Sequence, residues 1–240
     1  MKTHWRLHLG RNRCTIIPAA MTPRINRLPD TPDRPSRIAA ILHRTMPVAE
    51  VELTHRSPWE LLVATILSAQ CTDQRVNHVT PALFKRYRSP SEFAQAKPAE
   101  LESLIKSTGF YKNKAKSLMG CGRAIAERFN GRVPSTMEEL TSIPGVGRKT
   151  ANVIMGMAFN KPAVVVDTHV TRVANRLELT RSDDPERIER DLQHIFPQEQ
   201  WTQVSQRLLL HGRYVCIART PKCGSCALNE LCRWKGKQRQ

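Results

Sequence analysis

Two side chains in this sequence stand where they could do covalent or electrostatic chemistry, and four more where they could hold a metal. Lys149 follows Pro144-Gly145-Val146-Gly147-Arg148, a run that can neither continue a helix nor form a regular strand. Past the second glycine, Ala151, Ile154, Met155 and Ala158 recur at helical spacing, so the lysine falls in the first turn of a new helix. The positive end of the helix dipole disfavours a cation there by about 0.3–1 kcal/mol at an exposed site, which favours the neutral amine a nucleophile needs. A basic residue that only contacted phosphate could sit in the same place, so Lys149 alone leaves both chemistries open. Asp167 precedes a second helical run through Val170, Val173 and Leu177. It reads first as an N-cap, and capping does not exclude chemistry, because backbone N–H groups hold a carboxylate fixed in direction.

The remaining candidates are Cys216, Cys223, Cys226 and Cys232, separated by six, two and five residues. Four thiols so clustered point to a metal. One Cys-x-x-Cys flanked by two single cysteines suits a structural zinc site and equally a 4Fe–4S cluster wrapped by one loop, and spacing alone does not choose. Arg219 and Lys222 lie between the first two cysteines and Arg213 precedes them, so a metal-clamped loop would present cations rigidly to phosphates. Cys14, Cys71 and Cys121 are isolated and read as ordinary residues.

These groups need elements to place them. Leu140 and Ile143 have the spacing of a helix ending just before Pro144, so Gly145, Val146 and Gly147 join two helices by a tight hairpin. Such a turn leaves the first N–H groups of the second helix aimed outward, an anion site made of backbone. The spacing resembles the helix-hairpin-helix motif of DNA-binding proteins, whereas a bare helix–turn–helix connection would need no more than the glycines. Ser57-Pro58-Trp59-Glu60 is a capping box with proline at the first helical position, and it opens a helix apolar nearly all round, which predicts a central buried element. The box recurs at Ser89 with Glu92 and at Ser135 with Glu138. Pro98 opens another helix that Gly109 ends, a longer one runs from Lys112 to Phe129, and Asp184-Pro185 and Trp201 open two more. Only Ala163–Val166 looks extended, and four residues do not make a sheet. The expected class is all-α.

A length of 240 residues allows one large domain or two small ones. The net charge of +17 points to a polyanionic partner, with nucleic acid ahead of a membrane surface because the basic residues are spread along the chain and no apolar run is long enough to span. The cysteine usage fits a reducing, intracellular setting rather than a secreted scaffold. Residues 1–33 read as a flexible basic tail: the first 29 residues carry no acidic side chain and lack a secretory apolar core. Met21 is an alternative start within it.

Leu67-Ser68-Ala69-Gln70 with Thr72-Asp73, the hairpin IPGVGRKTAN, the run VDTH, the run LHGRYVC and the cysteine spacing together closely resemble the bacterial endonuclease III family, from about Ile38 to the C-terminus. The resemblance implies two α-helical domains with a DNA cleft between them: residues 51–161 carrying the hairpin, and residues 34–50 plus 162–240 as a discontinuous domain holding one structural 4Fe–4S cluster on the four cysteines. It implies a monomeric, cytoplasmic base excision repair enzyme acting on duplex DNA that contains an oxidised pyrimidine or an AP site, with glycosylase and AP lyase steps. By position, Lys149 matches the family's nucleophile and Asp167 its catalytic aspartate. Gln70 matches the residue that fills the gap left by the extruded nucleotide, and Phe110 stands where the family usually has a leucine wedge. Asp73 and His169 match polar residues near the lesion pocket. The related adenine glycosylases share the hairpin and cluster but lack the lysine and carry a further C-terminal domain. A non-catalytic DNA-binding protein with a zinc-clamped tail is the reading from a different class.

Overall fold

The computed structural model describes residues 33–237. The basic tail expected over 1–33, with Cys14, lies outside the described residues except for Asp33. Among the described residues there are eleven α-helices and no strand, so the all-α class holds. In chain order they are α1 (Arg34–Thr45), α2 (Pro58–Leu67), α3 (Asp73–Arg86), α4 (Pro90–Ala94), α5 (Pro98–Ile105), α6 (Tyr111–Arg128), α7 (Met137–Thr141), α8 (Arg148–Val153), α9 (Thr168–Arg176), α10 (Pro185–Ile195) and α11 (Trp201–Tyr214). A π-helical turn over Ile154–Ala158 continues α8.

Side-chain caps start most of these helices. Ser57 and Ser89 accept the N–H groups of Glu60 and Glu92, with proline at the first position of each helix. The two glutamates accept in turn from the N–H groups of Arg56 and Arg88. A cap of this kind contributes about 1 kcal/mol. Ahead of the hairpin the cap is one residue later than the sequence suggests: Thr136, not Ser135, caps α7, and its partner is Glu139 rather than Glu138. The reason is a long-range contact, because the Lys161 ammonium donates to both the carbonyl and the hydroxyl of Ser135.

Two hydrophobic clusters organise the chain. The first surrounds α2, in which every residue from Leu61 to Leu67 is buried, and takes in Leu83 of α3, Leu118 and Ile125 of α6, and Leu140 beside the hairpin. Each fully buried leucine or isoleucine contributes about 1.5–3 kcal/mol. The second joins Ile38 and Leu42 of α1 to Val170 and Val173 of α9, Leu192 of α10 and Leu208 of α11. The run Ala163–Val166 that enters this second cluster is buried and unpaired as a strand. Its backbone is satisfied by side chains instead, since the N–H groups of Ala163 and Val165 donate to the hydroxyls of Thr202 and Ser205 on α11.

Polar contacts tie one cluster to the other. Arg148, at the start of α8, donates from Nε and Nη2 to both carboxylate oxygens of Glu189 on α10, at 2.8 and 3.0 Å. Glu189 is buried, 4% exposed, so removing its partner would strand a charge. Arg148→Met should lower unfolding free energy by about 2 kcal/mol, below the full buried-pair penalty because the arginine side is half exposed. Arg148→Met with Glu189→Met together should cost less than Arg148→Met alone, which urea titration of the three proteins would check.

Candidate active site

The hairpin is built as its residue types require. Gly145 has φ +81°, and a Cβ there would lie 2.6 Å from Cβ of Ser117 on α6, so both its conformation and its close approach need glycine. Gly147 is the N-cap of α8 and supplies no capping side chain. The N–H groups of that first turn are left for an outside anion. Val146 behaves differently from its two neighbours. It is 5% exposed and its N–H donates to the Ile143 carbonyl. Its side chain therefore anchors the hairpin to the first core, while the glycines form the exposed surface.

Lys149 follows at once and is exposed. It lines a wide, open cavity with Asp167, Gln70, Asp73, His169 and Arg213. Thus α8, the loop after α2, the N-terminus of α9 and the end of α11 all bring side chains to one space. Asp167 is the N-cap of α9, and its Oδ1 accepts from the N–H groups of His169 at 2.9 Å and Val170 at 2.8 Å. Both bonds fall on one oxygen, which aims the other away from the helix. The sequence reading of Asp167 as a cap and the cavity position coexist in one residue.

Around this pair the site is strongly polar. Arg213 donates to Asp73 at 2.7 Å and also to Glu52, and the Tyr214 hydroxyl donates to Glu52. Burial alone would lower the Arg213 pKa, but the two carboxylates outweigh it and hold the guanidinium above its usual value. Arg172 Nη2 donates to the Gly212 carbonyl at 2.8 Å and faces His169 Nδ1 at 3.1 Å. A guanidinium only donates, so Nδ1 accepts and the ring proton lies on Nε2. Gly212 makes this crossing possible: a Cβ there would come within 2.9 Å of His169 Cβ and 3.1 Å of its carbonyl. Arg172 is invisible as a site residue in the sequence, although it sits three residues after His169 on the same helical face. Arg213 is legible there as a cation beside the cysteine loop, but its pairing with Asp73 and Glu52 rather than an outside phosphate is not.

Phe110 and Gln70 share an uncommon backbone. Both have left-handed φ, 46° and 52°, and both are exposed. Phe110 is 64% exposed, which is rare for a large apolar side chain.

The four cysteines line a separate, narrow cavity that also holds Arg176, His211 and Trp234. Arg176 Nη1 donates to Cys216 Sγ at 3.3 Å, and its guanidinium lies 3.9 Å from the Trp234 ring centroid. His211 Nε2 is 3.7 Å from Cys226 Sγ, and burial lowers its pKa to about 4. Burial pushes the Cys226 thiol above its ordinary value against a backbone N–H at Leu228 that opposes the shift, and the crowding of the other three sulfurs adds to it. Such crowding is relieved by a cationic centre. Among the described residues no three His, Cys, Asp or Glu side chains are arranged to share a single ion. Four thiols from one loop are a donor set that suits a 4Fe–4S cluster and also a zinc ion. Arg219 and Lys222 are exposed on this loop and do not line the Lys149 cavity.

Residues 63–198 match the family profile described as HhH-GPD superfamily base excision DNA repair protein. The sequence is 50% identical over 213 residues to endonuclease III of Synechocystis sp., covering 88% of this chain and 97% of that protein. It is 46% identical over 194 residues to endonuclease III of Bacillus subtilis, covering 80% of this chain and 88% of that protein. A solved structure of a trapped endonuclease III–DNA covalent intermediate with an estranged adenine matches with a TM-score of 0.80 at 45% identity, over 82% of this chain and 93% of that one. The chain belongs to the endonuclease III family, DNA glycosylases and AP lyases of base excision repair.

Gly212→Ala should push α11 away from α9 and destabilise the protein by about 1–3 kcal/mol. A denaturant midpoint lowered at unchanged slope would check it.

Proposed function

We propose that the enzyme releases oxidised pyrimidines from duplex DNA through a Schiff base on Lys149, then cleaves 3′ of the resulting AP site by β-elimination. The observation that carries this reading is the shared cavity of an exposed first-turn lysine and a carboxylate aimed by two backbone N–H groups. The matched structure of a covalent endonuclease III–DNA intermediate supports it by analogy. A base inside the duplex is out of reach, so the nucleotide is flipped into the cavity at a cost of a few kcal/mol. Gln70 and Phe110 enter the space it leaves, where an aromatic ring can wedge or stack. Asp73 and His169 face the extruded base. Gly145 and Gly147 offer their backbone to a phosphate with Val146 holding the hairpin in place, and Arg219 and Lys222 contact the backbone elsewhere.

The neutral Lys149 amine attacks C1′ while the bond from C1′ to the base breaks and the base leaves with its electron pair. Asp167 stabilises the positive charge that develops on the sugar and takes part in the proton transfers. Opening of the sugar ring gives a protonated imine. Loss of the 2′ proton then expels the 3′ phosphate, and water frees the lysine. Cys216, Cys223, Cys226 and Cys232 would hold a 4Fe–4S cluster, whose contribution is to clamp the loop that carries Arg219 and Lys222. On this reading residues 51–161 form one domain and 34–50 with 162–240 the other. The enzyme acts as a monomer, since one chain brings Lys149 and Asp167 to the same cavity, and it works in the cytoplasm, where bacterial DNA lies. No helix among the described residues is long and apolar enough to cross a membrane.

Borohydride added to native protein on a thymine glycol duplex should trap a covalent adduct, and Lys149→Gln should give none. Binding by native protein with neither adduct nor strand cut would sink the lyase chemistry. The purified protein should also be yellow-brown, whereas a zinc-clamped tail would be colourless.

A further inference from the structure

Lys114, in the first turn of α6, is buried at 5% exposure. Its Nζ donates to the carbonyls of Leu67 and Thr108, each at 2.8 Å. Leu67 is the last residue of α2, and Thr108 the last of a 3-10 turn over Lys106–Thr108. One ammonium thus caps the carbonyl ends of two helical segments, where the backbone dipoles favour a cation. Burial pushes its pKa below the ordinary lysine value, and no carboxylate is among its hydrogen-bond partners. A cation so placed is costly to bury unless its hydrogen bonds are kept.

Each capped end leads directly into a side chain that meets the duplex. Three residues after Leu67 comes Gln70, and two after Thr108 comes Phe110. Both hold the left-handed backbone that L side chains seldom adopt. The backbone N–H of Lys114 also donates to the Phe110 carbonyl at 3.1 Å. Lys114 therefore grips the Phe110 turn by main chain and by side chain, and grips the Gln70 loop by the same ammonium. We infer that Lys114 is a positioning residue that fixes the spacing of Gln70 and Phe110 so that the two enter the duplex as a pair. This rests on the reading that those two side chains occupy the gap. An aliphatic side chain of similar length would fill the same volume while leaving both carbonyls without a donor.

The test uses the full-length protein and two duplexes. One carries a tetrahydrofuran AP-site analogue, which cannot form a Schiff base, opposite 2-aminopurine, whose fluorescence rises when it unstacks. The other is undamaged. Lys114→Met should weaken binding to the analogue and its fluorescence rise by roughly tenfold, with binding to the undamaged duplex changed less than about twofold. If Lys114→Met does not fold, Lys114→Gln, neutral but able to donate to one carbonyl, is read by the same ratio of affinities. A native-like fluorescence rise overturns the inference. So does an equal loss on both duplexes, the mark of a merely structural lysine. Gln70→Ala and Phe110→Ala are run beside them. If neither lowers the fluorescence, the gap-filling reading itself fails, whereas a loss there with none at Lys114 rejects only the positioning role.

Discussion

The geometry of the active cavity depends on charged contacts that bridge two separately packed cores. Lys149 rides on a helix whose apolar residues belong to the α2 core, and Asp167 opens a helix that belongs to the other. Nothing in either core alone sets the spacing between an amine and a carboxylate on opposite sides. The Arg148–Glu189 pair ties the two sides together one residue before Lys149. Across the same cavity, Arg213 on α11 reaches Asp73 at the start of α3. Bidentate or buried geometry matters here, since exposed pairs contribute little. Two such fasteners let each core pack for stability while the space between them stays open.

The same division explains where the chain spends its glycines. Gly145 brings the hairpin against α6, and Gly212 brings α11 against α9. One shapes the exposed surface of the hairpin, and the other sets the position of Arg213 relative to His169. Their conformations and contacts differ, yet each trades a side chain for a close approach that a larger residue would prevent.

Much of this was legible in the sequence because it is local. Capping boxes, apolar periodicity and the glycine hairpin each rest on residues within one or two turns, and α2, α6, α9 and α10 start within a residue or two of where those signals put them. Asp167 could be read as a cap from its neighbours alone. The features that escaped were set by distant partners. The cap before the hairpin moved from Ser135 to Thr136 because Lys161, 26 residues away, claimed Ser135. Glu189 lies 41 residues from Arg148, and Lys114 meets a carbonyl 47 residues off. Val146 lies between two exposed glycines, and only the fold reveals that it points inward. The left-handed backbones at Gln70 and Phe110 carry no glycine to announce them.

The π-helical turn over Ile154–Ala158 gives the helix behind Lys149 one residue more than an α-helix of that span would have. Each residue of an α-helix advances the azimuth by about 100°. An excess of one residue therefore rephases the far end of the helix without disturbing its start. It lets Lys149 face the cavity while Gly156 meets Thr202, the α11 side chain that also accepts the Ala163 N–H. Deleting a single residue in this stretch would regularise the helix and improve its hydrogen bonding. It would also force a choice between the two ends, swinging the amine out of the cavity or tearing Ala163 from its acceptor. The irregular turn works as a phase adapter between the cavity and the scaffold.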